Sequence, residues 1–79
     1  MAGFLVIYEP ETGDYQVIEY SGDTGQRAAL QKRLKLESER RFEGESIEIT
    51  ALSADSLDSI KKTHARYFKG RQATFIEPD

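Results

Sequence analysis

The stretch from Ser53 to Gly70 constrains the fold more than any other part of this chain. Leu57, Ile60, His64, Tyr67 and Phe68 recur at intervals of three and four, which places them along one face of a helix. Ser53 stands where an N-cap belongs, Asp55 and Asp58 fall in the first turns, and Gly70 follows as a C′ residue.

The strands that such a helix can pack on come earlier. Phe4-Leu-Val-Ile-Tyr8 is β-branched and aromatic throughout, and Tyr15 to Tyr20 forms a second strand. Between them, Glu9-Pro-Glu-Thr-Gly-Asp14 is turn chemistry, with Pro10 fixing φ and Gly13 free to take φ > 0. A β-hairpin is therefore expected over the first twenty residues. Ser21 to Gly25 breaks the chain, with Asp23 or Thr24 as caps, and a helix follows through about residue 38 with Leu30 and Leu34 on its inner face. Ser46 to Leu52 alternates Ile47, Ile49 and Ala51 with Glu48 and Thr50, a half-buried strand. Arg71 to Glu77 can add a short final strand on Phe75 and Ile76, ended by Pro78.

The order is ββαβα(β), one α+β domain over residues 1–79. The expected architecture is a mixed sheet of three or four strands with two helices on one face, because β–α–β crossovers are right-handed. The other sheet face then has no helical cover.

Composition narrows the function classes. The chain has no cysteine, so disulfides, thiolate metal sites and cysteine nucleophiles are excluded, and the usage suits a cytoplasmic protein. The opening apolar segment, Phe4 to Tyr8, is too short for a secretory h-region or a membrane span. A net charge of −3 with 32% charged residues argues against non-specific nucleic-acid or membrane binding. The charge is unevenly placed, though. Residues 1–20 carry four acids and no base, whereas Lys61, Lys62, Arg66, Lys69 and Arg71 crowd into one acid-free stretch.

Two surfaces could carry a partner. If Tyr8 opposes Tyr15 in the hairpin, then Phe4, Tyr8, Tyr15 and Val17 share one face, with Val6 and Glu19, and Leu5, Ile7, Ile18 and Tyr20 share the other. The aliphatic set suits packing against Leu30, Leu34, Leu57 and Ile60. The aromatic set suits a self-association or protein-contact surface, or a stacking platform for single-stranded nucleic acid, or else simply completes a small core. RNP signatures are absent from the strands. A bulge at Gly13 would swap the two faces.

The second surface is basic. On a continuous helix Lys62, Arg66 and Lys69 fall on one side and Arg71 extends it, a pattern able to follow a phosphate backbone. The same cations also complement the helix dipole, with Asp55 and Asp58 at the opposite end and Asp58 four residues before Lys62.

Parts for catalysis are few. His64 is the only histidine and lies within the apolar stripe, where a structural role accounts for it. Gly22-Asp-Thr-Gly25 precedes a helix but lacks the following lysine of a P-loop, and Asp23 would repel an anion. Glu37, Glu39, Glu43 and Glu45 read as solvating charges at a helix end. No metal or cofactor motif is present. The sequence supports a small non-enzymatic protein-interaction module, homodimeric or adaptor-like, contacting through the aromatic sheet face. The alternative is a nucleic-acid-binding module using the basic face of the C-terminal helix.

Overall fold

A computed structural model describes residues 2–77. Three strands, β1 (Ala2–Tyr8), β2 (Tyr15–Tyr20) and β3 (Glu48–Ala54), and two helices, α1 (Gly25–Ser38) and α2 (Leu57–Thr63), follow one another as ββαβα. A 3-10 turn, Ala65–Phe68, completes the order. The fold class and element order are those the sequence leads one to expect. Several features of the architecture differ from expectation.

The sheet is antiparallel throughout and not mixed. Its order is β2-β1-β3, with β1 in the middle and antiparallel to both neighbours. The hairpin pairs Tyr8 with Tyr15 and Val6 with Val17, so no bulge shifts the register. β2 and β3 run in the same direction but are separated by β1, and α1 joins them as a crossover over one strand.

The helices also lie on opposite faces. Leu5, Ile7 and Ile18 form a core with Leu36 of α1. The alternate residues of β1 meet the C-terminal segment instead: the Tyr8 ring stands edge-on to Tyr67 at 5.2 Å, and Tyr15 to Phe68 at 5.1 Å. The handedness rule governs α1 because it links two strands of one sheet. It places no constraint on α2, which leads to no further paired strand of that kind. The aromatic face is the apolar surface left to bury, and the chain covers it.

β1 is consequently covered on both faces, and Phe4, Leu5, Val6 and Ile7 are all fully buried. A continuous apolar run is the pattern of a strand buried on both sides.

α1 approaches the sheet closely. A side chain on Gly25 would meet the Tyr20 carbonyl oxygen, and one on Gly3 would meet the Gly25 carbonyl. The helix face turned to the sheet is Gly25, Ala29 and Leu36, and Leu30 and Leu34 point away from the core. α1 ends in a Schellman motif: Arg41 N–H bonds the Leu36 carbonyl and Arg40 N–H the Glu37 carbonyl, both at 3.1 Å. Arg40 holds the left-handed position with φ 53°.

The expected long C-terminal helix is two pieces. Ser53 belongs to β3, and the N-cap is Ser56, whose Oγ accepts from Ser59 N–H at 3.2 Å. α2 stops at Thr63, where His64 leaves helical geometry with φ −125° and ψ 44°. Thr63 Oγ1 bonds both the Ser59 carbonyl, at 3.0 Å, and His64 Nδ1, at 2.9 Å. The break re-aims Tyr67 and Phe68 onto the hairpin tyrosines, where each gains an edge-to-face contact.

The final segment makes one parallel bridge, Tyr15 with Gln72, in place of a full strand. It passes the outer edge of β2 and tucks Phe75 and Ile76 into the core on the α1 side. Pro78 lies outside the described residues.

Candidate functional site

The residues expected to form a contact surface are placed together on one sheet face, but beneath a cover. Phe4 is fully buried, Val17 half-buried, and Tyr8 and Tyr15 are half-buried under Tyr67 and Phe68. The expectation of an uncovered aromatic face is therefore corrected. What closes it is the piece of chain that the break at His64 redirects.

The four cations are not brought into one row, because the helix that would have aligned them ends at Thr63. Lys62 lies on α2, Arg66 on the 3-10 turn, and Lys69 and Arg71 beyond it, all exposed. Arg66 is also engaged. Its guanidinium donates to the Tyr67 hydroxyl at 2.8 Å, lies over the Tyr67 ring at 4.3 Å and over the Tyr8 ring at 5.8 Å, and reaches Glu48 at 3.4 Å. The Tyr67 hydroxyl first, and Glu48 after it, raise the Arg66 pKa further above its ordinary value. Such a cation braces the aromatic cover to β3.

His64 is half-buried, stacked on Tyr67 at 6.3 Å and bonded to Thr63. Thr24 caps α1 without a side-chain hydrogen bond, and residues 21–24 are exposed. Among the described residues no group of three or more His, Cys, Asp or Glu side chains is placed to hold a metal ion. No described helix is long and apolar enough to cross a membrane.

The surface that the sequence did not disclose lies where β3 meets α1. The two edges of the sheet are unlike. At β2 the outer edge is capped at its first residue: Tyr15 N–H donates to the Arg71 carbonyl at 3.0 Å, and Ala73 N–H donates to the Tyr15 carbonyl at 2.7 Å. Among the described residues β3 pairs only with β1, so its outer row of backbone groups is open. Natural edge strands are blunted by lysine, proline or a bulge. Glu48-Ile-Thr-Ala-Leu-Ser-Ala54 has no lysine and no proline, and it pairs with β1 in unbroken register.

Beside that edge stand Leu30 and Leu34, 45% and 54% exposed, the large hydrophobic side chains left in solvent. At 3.6 residues per turn they lie about 100° and 140° around α1 from the inward Ala29. The flank of α1 bearing Ala28, Gln31, Lys32 and Lys35 shares a cleft with Tyr20, so it faces β2. Leu36 and Glu37 share a cleft of about 440 Å³ with Ile47 and Ile49, which identifies the Glu37 flank as the β3 side. Leu30 and Leu34 belong to that second flank.

A signal for this existed in the sequence. Gly25 and Ala29, four residues apart, mark a face close enough to another backbone to exclude larger side chains, and that face excludes Leu30 and Leu34. Compared with protein-family models, curated proteins and solved structures, the chain matches none.

Proposed function

We propose that this chain is a non-enzymatic protein-interaction module whose contact surface is the open edge of β3 with the Leu30/Leu34 flank of α1. The observation that supports the reading is the difference between the two sheet edges. One is capped at Tyr15 by the chain's own C-terminal segment; the other has no such cap among the described residues, and the α1 flank on its side carries two solvent-exposed leucines. An open edge recruits a partner strand by main-chain hydrogen bonds, and adjoining apolar side chains supply burial and selectivity. The nucleic-acid reading has less support, since Arg66 is held by Tyr67 and Glu48.

The test is a photo-crosslinking amino acid placed at Leu34, at Ser53 or at Lys61, in cells expressing the chain. Leu34 and Ser53 lie on the proposed surface, and Lys61 is exposed on α2, across the sheet from α1. Adducts from the first two positions and none from Lys61 are expected. Absence of adducts at Leu34 and Ser53 overturns the reading.

A further inference from the structure

We propose that the occupant of this surface is a second copy of the chain. It docks across a twofold axis beside Ala51, pairing the two β3 strands antiparallel and laying the two α1 helices side by side. The inference rests on the reading that the β3 edge and the α1 flank form the contact surface.

The first support is the self-complementarity of β3. With Ala51 opposite Ala51 of the partner subunit, Thr50 meets Leu52 of the partner subunit and Ile49 meets the partner's Ser53. Glu48, the only charge in the strand, meets the partner's Ala54. The two Glu48 carboxylates then stand at opposite ends of the ladder, about 20 Å apart at 3.4 Å per residue. No like charges oppose one another across the pair.

The second support is that one axis serves both elements. Gly25 packs against Gly3, which pairs with Ser53, and Leu36 with Glu37 at the other end of α1 shares a cleft with Ile49. The level of Ala51, midway between Ser53 and Ile49, therefore falls on α1 close to Leu30 and Gln31. A twofold axis at that level brings Leu30 within one helical turn of Leu34 of the partner subunit, and Arg27 within one turn of the partner's Glu37. Apolar then meets apolar, and positive meets negative, with a shift of less than one helical turn.

The third support is distance. α1 lies over β1 and β3 more than over β2. With strands about 4.8 Å apart, continuing the sheet through two β3 strands puts the two α1 axes about 10 Å apart. Packed helices are separated by about 8–10 Å. The exposed leucines fill that gap.

The chain contains no cysteine, so a single introduced one reports proximity cleanly. Ala51→Cys places two thiols at the axis, where opposed Cα atoms at about 4.5–5.5 Å suit a disulfide. Under mild oxidation at micromolar concentration, Ala51→Cys is expected to give a covalent dimer and Lys61→Cys is not. In sedimentation equilibrium the wild type is expected to dimerise. Leu34→Lys should shift it to monomer with unchanged circular dichroism, and Gln31→Lys on the other flank should leave it dimeric. Arg27→Glu should weaken the dimer about tenfold through two symmetry-related contacts, and adding Glu37→Arg should restore it. A wild type that remains monomeric overturns the proposal, as does a dimer that is indifferent to Leu34→Lys and does not cross-link when it carries Ala51→Cys. If the chain is monomeric yet the Leu34 photo-adduct forms with another protein, the interaction reading stands and only the second copy is excluded. If no adduct forms either, both fall.

Discussion

Gln16 and Ile76, sixty positions apart, exchange hydrogen bonds in both directions. The Gln16 amide donates through Nε2 to the Ile76 carbonyl at 2.7 Å, and its Oε1 accepts from Ile76 N–H at 3.0 Å and from Phe75 N–H at 2.8 Å. Gln16 is 5% exposed and sits on the core face of β2, beside Ile18 in pattern. A buried amide whose oxygen and nitrogen are both matched to one segment of backbone acts as a clamp. It holds the tail that caps the outer edge of β2 at Tyr15.

Replacing Gln16 by Leu keeps the volume but leaves buried N–H and C=O groups of the tail without partners. Each such group costs about 1–3 kcal/mol. Gln16→Leu is expected to lower stability by about 2–4 kcal/mol in urea denaturation, with amide exchange at Phe75 and Ile76 accelerated well before global unfolding. Protected amides at 75 and 76 in this variant would show that apolar burial of Ile76 alone suffices.

Gly25→Ala tests the close approach of α1 to the sheet. Its new methyl meets backbone atoms of Tyr20 and Gly3, which cannot rotate away as a side chain can. Alanine is ordinarily the better helix former by about 1 kcal/mol. Here it is expected to destabilise by about 3 kcal/mol, the upper range for overpacking. A stabilised Gly25→Ala chain would place α1 farther from β1 than the Gly3–Gly25 contact allows.

Arg40→Gly is expected to act in the opposite direction. Arg40 occupies the left-handed C′ position that glycine adopts freely, and its exposed ion pair with Glu43 at 3.4 Å contributes little. Relief of the left-handed penalty outweighs the larger backbone entropy of glycine by about 0.5–1 kcal/mol. For a domain this small, that corresponds to a rise in Tm of about 2–8 °C. A calorimetric Tm that falls would contradict the Schellman geometry.

Ser46→Ala probes the tie between the hairpin turn and the loop before β3. Ser46 Oγ donates to Glu9 Oε1 at 2.6 Å, and Glu11 N–H donates to the same oxygen at 2.9 Å. The Ser46 hydroxyl first, then the Glu11 amide, lower the Glu9 pKa below its ordinary 4.5. A depressed carboxylate contributes stability above its unfolded pKa, and that contribution is lost as pH falls through the folded value. Ser46→Ala should move the Glu9 pKa back up in an NMR titration and flatten the acid limb of the stability curve below the ordinary value of 4.5. An unmoved Glu9 pKa would assign the shift to Glu11 alone.

The elements were legible because their signals are local. Alternation and β-branching mark β2 and β3, turn residues mark the hairpin, and helix formers without a breaker mark α1. The register of Tyr8 against Tyr15 was one of two readings open to the sequence, because a bulge at Gly13 would have swapped the faces, and the structure selects it. The candidate surface was not legible in the same way. Leu30 and Leu34 have the hydropathy of core residues, and nothing local separates them from Leu36. Likewise, the periodicity from Leu57 to Phe68 is the same whether the helix continues or breaks at His64.

The sequence by itself determined the two hairpin strands, α1 and β3, their order, and the α+β class, because those depend on backbone preference and on periods of two and 3.6 residues. Only the tertiary structure decided which face each helix covers, which sheet edge the tail caps and which leucines are left outside. Those outcomes depend on contacts between distant residues: Gly3 with Gly25, Tyr8 with Tyr67, Gln16 with Ile76. Each is a competition for the same apolar surface, and the winner is set by what fits against it in three dimensions.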